Sequence, residues 1–213
     1  MSDTPVAELP GDLLRENVLE RFRHALGTGI VETLLKPGDD LWIRVAPESW
    51  RAAGLAARSL GFDYFCFLSA LDWLPSPFGK GEDDPTAPPP ERDSTIKQGY
   101  TGGSSRFQLL ARVYSITERV GVHFKADVPD DLTVDSWLPA YSGANWHERE
   151  TREMFGIEFT GHPDPRNLYL PMEFEGHPLR KDFPLLSRIV KPWPGIVDVE
   201  PMPGAAADEE GES

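Results

Sequence analysis

The chain has few of the side chains that most often build a reactive centre. Its 213 residues include one cysteine, Cys66, and 5 histidines. One thiol cannot form an internal disulfide, and it cannot supply the several thiolates of an iron–sulfur cluster or a structural zinc site. We therefore expect a chain from a reducing compartment. Because Cys66 lies in an apolar run, we expect it in the core.

Basic residues are scarce as well. The chain has 21 Lys and Arg against 35 Asp and Glu, a formal net charge of -14 at pH 7. Nucleic acids and anionic lipid surfaces are bound by clustered Lys and Arg, and the sequence has no long basic run. This balance argues against a nucleic-acid partner and against direct adsorption to a membrane.

Long apolar runs are also missing. The most apolar stretch, 62–74, includes Asp63 and Asp72 and is shorter than the roughly 18 residues that span a bilayer. Residues 1–14 are acidic and have neither the apolar region of a secretion signal nor the arginines of a mitochondrial transit peptide. We expect a cytoplasmic location, with membrane contact only through a partner.

The common catalytic motifs do not occur in the sequence, which has no glycine-rich phosphate loop after a strand and no Gly-x-Ser-x-Gly. The best case for an enzyme is His147 with Glu150 and Glu153, which could share a helix face and hold a metal or do acid–base work. Their spacing differs from His-Glu-x-x-His, and a catalytic zinc needs three protein ligands. Charge pairs on a helix surface are the simpler interpretation, with a metal-dependent hydrolase as the alternative.

What the sequence does contain is enough apolar periodicity for one domain, which we place at 11–156 after a leader at 1–10. Apolar residues at three- and four-residue spacing predict an amphipathic helix that ends at Gly27. Alternating apolar residues predict a strand at Leu41–Val45. A helix follows at 47–60, with a proline in its first turn and a glycine after its end.

Three further strands complete the predicted domain. The apolar run at 62–71 predicts a strand buried on both faces or in the middle of a sheet. Residues 106–116 and 120–128 alternate and are joined by a short connection, as in an antiparallel hairpin. The Pro- and Gly-rich residues 75–105 predict an exposed loop insertion. This order of elements predicts an α+β fold: a two-layer domain with helices on one mixed sheet.

A short charged helix is predicted at the end of the domain. Asn145 can cap its N-terminus, and Glu148 can reach back to that cap from three residues on. Gly156 supplies a left-handed stop after Phe155. These signals predict both ends of the helix.

Opposite charges lie four residues apart in this helix, at Glu148 and Arg152 and again at Arg149 and Glu153. Such pairs face each other and contribute about 0.2 to 0.5 kcal/mol each when exposed. The middle of the helix has no apolar stripe. We therefore expect it to bridge solvent or to meet a charged partner.

One phrase occurs twice after the helix, first as Phe-Thr-Gly-His-Pro and then as Phe-Glu-Gly-His-Pro. Gly161 and Gly176 permit a positive φ, and each proline favours an extended residue before it. His162 and His177 could be taken as metal ligands. Bends in which each ring bonds a backbone carbonyl are simpler, because a metal would need further ligands.

Beyond Pro184 the sequence shows no further periodic element, and repeated prolines keep it extended. We predict an extended arm at 157–204 and a disordered acidic tail at 205–213. From composition alone, an arm that wraps another subunit and an unattached segment are equally consistent.

The charged helix and the two bends form one long ordered pattern. It consists of Glu148-Arg149-Glu150, Glu153-Met154-Phe155-Gly156-Ile157, Phe159, Gly161-His162-Pro163, Gly176-His177-Pro178-Leu179-Arg180-Lys181-Asp182 and Pro184. This pattern resembles the signature of the 30 kDa subunit family of respiratory complex I, the C subunit of the proton-pumping NADH–quinone oxidoreductase. The sequence departs from the family in having Glu153 for an Asp, Pro165 and Asn167 for a Leu and an Arg, and Phe174 for a Trp.

The resemblance implies a non-redox core subunit of the peripheral arm, which supports assembly of the quinone-reducing module of a proton-translocating NADH–quinone oxidoreductase. It places FMN and the iron–sulfur clusters in partner subunits, with no cofactor and no catalytic residue in this chain. It implies a hetero-oligomer in which the D subunit of complex I is the chief partner and the B and I subunits lie nearby, on the cytoplasmic side of a bacterial cell membrane. It also favours the arm over an unattached segment.

By this resemblance the charged helix and the two bends make much of the contact with other subunits. The predicted interface residues are Glu148, Arg149, Glu150, Glu153, Phe155, Gly156, Gly161, His162, Pro163, Gly176, His177, Pro178, Arg180 and Lys181. Two further alternatives are open: the homologous subunit of an energy-converting hydrogenase or other-donor quinone dehydrogenase complex, and an unrelated acidic scaffold.

Overall fold

Five strands form the main sheet of the protein. They are β1 (Ile30–Leu34), β2 (Leu41–Val45), β3 (Tyr64–Asp72), β4 (Phe107–Ser115) and β5 (Val120–Asp127). The computed structural model describes residues 12–75 and 95–183. The strand order is β1-β2-β5-β4-β3. Since β2 and β5 pair in parallel and the other neighbours are antiparallel, the sheet is mixed, as predicted.

Two helices lie on one face of this sheet. Helix α1 (Leu13–Leu26) begins where the Asp12 side chain accepts from the backbone N–H of Arg15, and it buries Phe22 against Phe124 of β5 at a ring-centroid distance of 5.3 Å. Helix α2 (Trp50–Ser59) follows a 3-10 turn at Pro47–Ser49. Its Trp50 stacks at 4.7 Å on Trp137, whose ring also meets Phe124. The predicted two-layer α+β fold is confirmed.

The predicted hairpin forms the centre of the sheet. Leu109 of β4 lies opposite Ala126 of β5, and Ala111 lies opposite Phe124. These four side chains are buried, because alternate residues of both strands face the helices. The alternation in the sequence therefore identified the core face of β4 correctly.

The prediction for the third strand was partly wrong. β3 exists, but it is an edge strand rather than a central one, and Tyr64 and Leu71 are exposed. Its register shifts between Phe65 and Phe67, so the pairing skips Cys66. Cys66 is half-buried there and not in the core, and its Sγ accepts from Arg112 Nη1 at 3.0 Å.

Three short strands were not predicted from the sequence, and the start of one helix, α3, was predicted incorrectly. β1 pairs with β2 through the turn at Gly38. β6 (Thr133–Asp135) and β7 (Glu158–Thr160) form a separate two-stranded parallel sheet. Helix α3 (Ala144–Phe155) lies between them in the chain and packs against the edge strand β3, where Phe65 meets His147 edge to face at 5.4 Å.

Several predicted segments fall outside the described residues: the leader, most of the loop insertion (76–94), the end of the arm and the acidic tail. The described end of the insertion, 95–105, lies partly against the sheet, and Thr101 in it is buried. Within 12–75 and 95–183, no helix combines the length and the apolar character that crossing a membrane requires.

Candidate subunit interface

The start of α3 differs from the prediction. The helix begins after Gly143, and no side chain caps it, so the expected exchange between Asn145 and Glu148 is wrong. Glu148 is instead fully buried. Its carboxylate accepts from Ser136 Oγ and from the backbone N–H of Trp137, both at 2.6 Å. Glu148 thus ties α3 to the segment that carries the core tryptophan.

Burial controls the protonation of Glu148. It raises the pKa of this carboxyl to about 7, against the opposing effects of the Ser136 and Trp137 hydrogen bonds and the charge of Arg51. Arg51 lies nearby because its guanidinium donates to the carbonyls of Ser136 and Thr160. Glu148, which we predicted to lie on the helix surface, is thus a buried and titratable carboxyl group that connects α3 to the Trp137 segment.

The ion pairs predicted along α3 are also absent from the described chain. Arg152 pairs with Glu158, beyond the end of the helix, at 2.9 Å. Arg149 donates to the backbone carbonyls of Arg166 (2.8 Å) and Asn167 (3.1 Å). The charges of α3 therefore reach across to the following segment instead of pairing along the helix.

We call residues 161–183 the strap, because they run back along α3. Glu153 holds its middle: the carboxylate accepts from the backbone N–H groups of Leu168 (2.9 Å), Tyr169 (3.0 Å) and Leu170. Burial alone would raise the pKa of Glu153, but these three donors hold it below its usual range. Three consecutive amides around one buried carboxylate make a specific anchor for the strap.

The end of α3 holds the second part of the strap. Gly156 has φ 75° and ends the helix as predicted. Arg180 Nε donates to the carbonyl of Phe155 at 2.7 Å, and the His177 ring bonds the carbonyl of Glu153 at 2.9 Å. A Cβ at Gly156 would lie 2.5 Å from both side chains. The glycine is thus required for close approach as well as for its conformation.

The two bends have the predicted geometry. Gly161 and Gly176 have φ values of 85° and 98°. The His162 ring lies 3.3 Å from the carbonyl of Asn145, so each histidine ring bonds a backbone carbonyl of α3. His162 Nδ1 accepts from the backbone N–H of Asp164, which leaves Nε2 as the donor. Both histidines attach the strap to α3.

The last described residues attach to the edge of the main sheet. The backbone N–H of Lys181 donates to Asp72 at 2.8 Å, and Arg106 bridges Asp72 and Asp182 at 2.6 and 2.8 Å. Burial would raise the pKa of Asp72, but Arg106 holds it below its usual range. The Arg-Lys-Asp end of the pattern is engaged within the chain.

The structure therefore divides the predicted interface residues by environment. Glu148, Glu153 and Phe155 are buried, and the half-buried members are Arg149, Glu150, Gly156, His162, His177, Pro178 and Arg180. Gly161, Pro163, Gly176 and Lys181 are exposed. Their contact with a partner stays a prediction.

Sequence reasoning passed over a second group, the exposed apolar side chains of α3 and the strap. Met172 is 92% exposed, Trp146 68% and Tyr169 63%, with Leu179 and Phe174 also exposed. Soluble chains seldom expose so many large apolar groups on one helix and the segment beside it without a partner for them. The signal was available as apolar residues in a non-periodic, proline-rich stretch.

The metal-centre alternative receives no geometric support. His147 Nδ1 lies 3.1 Å from the carbonyl of Leu68, and the Glu153 carboxylate is occupied by strap amides. In the part of the chain that the structure describes, no three His, Cys, Asp or Glu side chains are grouped so that they could hold a metal.

Comparison with known proteins gives a consistent result. The family described as "Respiratory-chain NADH dehydrogenase, 30 Kd subunit" matches residues 43–188, which include α2, α3, the strap and most of the sheet. The C subunit of the NADH-quinone oxidoreductase of Xanthobacter autotrophicus is 42% identical over 85 residues, 40% of this chain and 41% of that protein. The C subunit of the Rhizobium johnstonii enzyme is 46% identical over 79 residues, 37% of this chain and 40% of that protein.

Solved structures show the same fold. A trypsin-resistant fragment of Nqo5 (residues 1–134) has a TM-score of 0.50 at 22% identity, covering 71% of this chain and 98% of the fragment. A chain of the archaeal membrane-bound sulfane sulfur reductase has a TM-score of 0.56 at 18% identity, covering 82% and 88%. The chain spans about two fifths of the length of the curated relatives it matches. Because the family match covers more than half of its residues, the chain belongs to the family of the 30 kDa subunit of the respiratory-chain NADH dehydrogenase.

Proposed function

We propose that the chain is a non-redox core subunit of the peripheral arm of a proton-translocating NADH–quinone oxidoreductase. The observation that supports this most is the family match over 43–188, because it includes both α3 and the strap. In this proposal the redox reaction belongs to the assembly, and FMN and the iron–sulfur clusters lie in other subunits. The chain supports assembly of the quinone-reducing module from the cytoplasmic side of a bacterial membrane, with the D subunit as chief partner and the B and I subunits nearby.

We further propose that α3 and the strap contact the partner through apolar side chains. The charges of Arg149, Glu153 and Arg180 already bond backbone groups of this chain. Their role is to hold the strap in one conformation, which lowers the entropy lost on binding. The contact then comes from Met172 and Tyr169, because burying large exposed apolar groups supplies most of the free energy of an interface.

Variants of these apolar residues test the proposal in the assembled enzyme. Met172→Ser with Tyr169→Ser removes exposed apolar surface without breaking a side-chain hydrogen bond seen here. Each truncation removes about 1.5 to 3 kcal/mol of burial, so we expect at least a tenfold loss of affinity for the complex. The matched control is Ile116→Ser, which removes an apolar group that is 66% exposed in the β4–β5 turn.

The readout is the fraction of each variant that co-migrates with the large complex after gentle solubilisation. The proposal predicts a loss for the double variant and wild-type incorporation for the control. Equal incorporation of both variants would contradict a contact through the strap. Arg149→Ala and Glu150→Ala, made separately, distinguish holding the strap from contacting the partner. We expect Arg149→Ala to loosen the strap. Glu150→Ala should weaken assembly only if the Glu150 carboxylate contacts the partner.

A second candidate is the homologous subunit of a complex with another electron donor. The chain shares its fold with a chain of an archaeal respiratory membrane complex, the sulfane sulfur reductase. The partners distinguish the two: a nucleotide- and flavin-binding subunit in the same complex favours NADH, and a hydrogenase or sulfur reductase set favours the alternative.

A further inference from the structure

The face of the sheet opposite the helices carries polar side chains under one short segment, Gly99–Ser105. Lys125 of β5 is 1% exposed, although lysine is almost never fully buried without partners. Its Nζ donates to the backbone carbonyls of Tyr100 and Gly102, both at 2.8 Å. Both hydrogen bonds described for this ammonium group are therefore made to the segment above it, and the Trp73 ring lies 5.2 Å away.

The neighbouring side chains hold the same segment. Arg44 of β2 donates to the carbonyl of Thr101 at 2.6 Å, and Gln108 of β4 donates to the carbonyl of Gly102 at 3.1 Å. Asp127 accepts from the backbone N–H and hydroxyl of Ser104 at 3.2 and 3.1 Å. Donors and acceptors of three strands thus converge on one segment of seven residues.

The segment is held in a conformation it would not adopt alone. Thr101 is β-branched and has φ 63°, a left-handed conformation that such residues avoid. Gly103 lies so close to the sheet that a Cβ would be 1.8 Å from Gln108 Nε2. Strain of this kind persists only where surrounding contacts impose it, and it favours release once those contacts are lost.

We propose that Gly99–Ser105 is a latch that closes over Lys125, opens as a unit while the sheet stays folded, and returns Lys125 to water so that this side chain takes up a proton on opening. Local opening of a short segment below the free energy of global unfolding is common in folded domains. The geometry supplies the linkage, because closing removes the ammonium group from water and leaves it two carbonyl acceptors, which a neutral amine can also satisfy.

The charges around Lys125 agree with this direction. Burial lowers the pKa of Lys125 to about 8, with Asp127 opposing the shift and Arg44 adding to it. Other titratable groups lie on the outer side of the segment. Lys36 Nζ is 4.4 Å from the Tyr100 ring centroid, and His123 stacks on Trp42, which meets that ring. Asp39 and Asp40 line the same surface, and Asp40 pairs with His123. Because the closed state has the lower lysine pKa, it binds fewer protons and is favoured as pH rises.

Amide hydrogen exchange of the full chain tests the latch. Exchange rates of residues 99–105, divided by the intrinsic rate at each pH, should fall by up to about tenfold between pH 7 and pH 9 in the wild type. The amides of β4 and β5 should stay protected. In Lys125→Met the segment should exchange faster at pH 7 and lose this pH dependence, because two carbonyls lose their donor and no proton is linked to opening.

Lys36→Met is the control, since it removes a lysine that lies on Tyr100 from outside, and it should keep the wild-type pH dependence. If Lys125→Met does not fold, Asp127→Asn provides the second variant: it weakens the hold on Ser104 and should speed exchange of the segment without abolishing the pH dependence. A wild-type pH effect below twofold, or joint exchange of the segment with β4 and β5, would overturn the proposal.

Discussion

Glu153→Gln tests how the strap is held. In the structure the backbone N–H groups of Leu168, Tyr169 and Leu170 all donate to the Glu153 carboxylate. A hydrogen bond to a charged group contributes about 1.5 to 3 kcal/mol, against about 0.5 to 1.5 kcal/mol for a neutral one. Glutamine keeps one acceptor oxygen and turns the other position into a donor that faces an N–H group.

The loss of charge on the retained bonds and of at least one bond outright should weaken strap attachment by roughly 2 to 4 kcal/mol. Exchange of the strap amides at 168–170 should then speed up by roughly 30- to 1,000-fold, up to the rate of an unprotected amide. Glu150→Gln is the matched control, because it removes the same charge from the same helix and leaves these amides with their acceptor. Exchange within threefold of wild type in Glu153→Gln, or an equal effect of the control, would refute the assigned role.

The pH dependence of the strap has a definite sign. The pKa of Glu153 lies below its usual range in the folded chain, because the amide donors outweigh burial. Its contribution is therefore present above the unfolded pKa of about 4.3 and is lost as pH falls through the lower folded pKa. Acid should therefore weaken the attachment of the strap to α3.

Two further predictions concern the core. Burial raises the pKa of Glu148 to about 7. The stabilising contribution of this group is therefore complete below its unfolded pKa, and about 3 kcal/mol is lost as pH rises through 7. In Glu148→Gln the denaturation midpoint should depend less on pH between pH 5 and pH 8, and an unchanged dependence would count against this. Gly54→Ala should destabilise the fold by about 1 to 3 kcal/mol, although alanine normally favours a helix, because the new Cβ would lie 2.9 Å from the Trp137 ring; a gain in thermal stability would show that the ring can move.

Sequence reasoning succeeded where one period dominated a long segment. The three- and four-residue spacing identified α1, and the alternation of β4 identified both that strand and its buried face. The predicted apolar face of α1 was only partly correct, because Val18 and Phe22 are buried but Leu13 is exposed. Both patterns report a single local geometry facing one core, so they can be recognised without tertiary information. The glycine stop of α3 and the two positive-φ bends were equally local and were predicted correctly.

The errors arose where a residue's partner lies far along the chain. Glu148 has the spacing of a capping residue, but its donors are Ser136 and Trp137, twelve and eleven residues earlier. The charges of Arg149 and Glu153 have the spacing of a helix-surface ion pair, but backbone groups of the strap are their partners. Local spacing cannot show that a second segment will cover a helix face.

Short strands were missed for a related reason. In β1 and β7 apolar and polar residues alternate over only a few positions, and the positions of both strands are set by pairing with other strands. The apolar run of β3 predicted a central strand, yet its second edge is free of the sheet and α3 packs beside it. An apolar run reports burial and not the element that provides it.

The most direct test of the proposed function is to purify the full chain from gently solubilised membranes through a C-terminal tag and to identify what accompanies it by mass spectrometry. We expect recovery in a large complex with flavin, iron–sulfur and membrane subunits and with NADH–quinone reductase activity. Recovery of the chain alone would contradict it, and recovery with a hydrogenase or sulfur reductase set would transfer the chain to the second candidate.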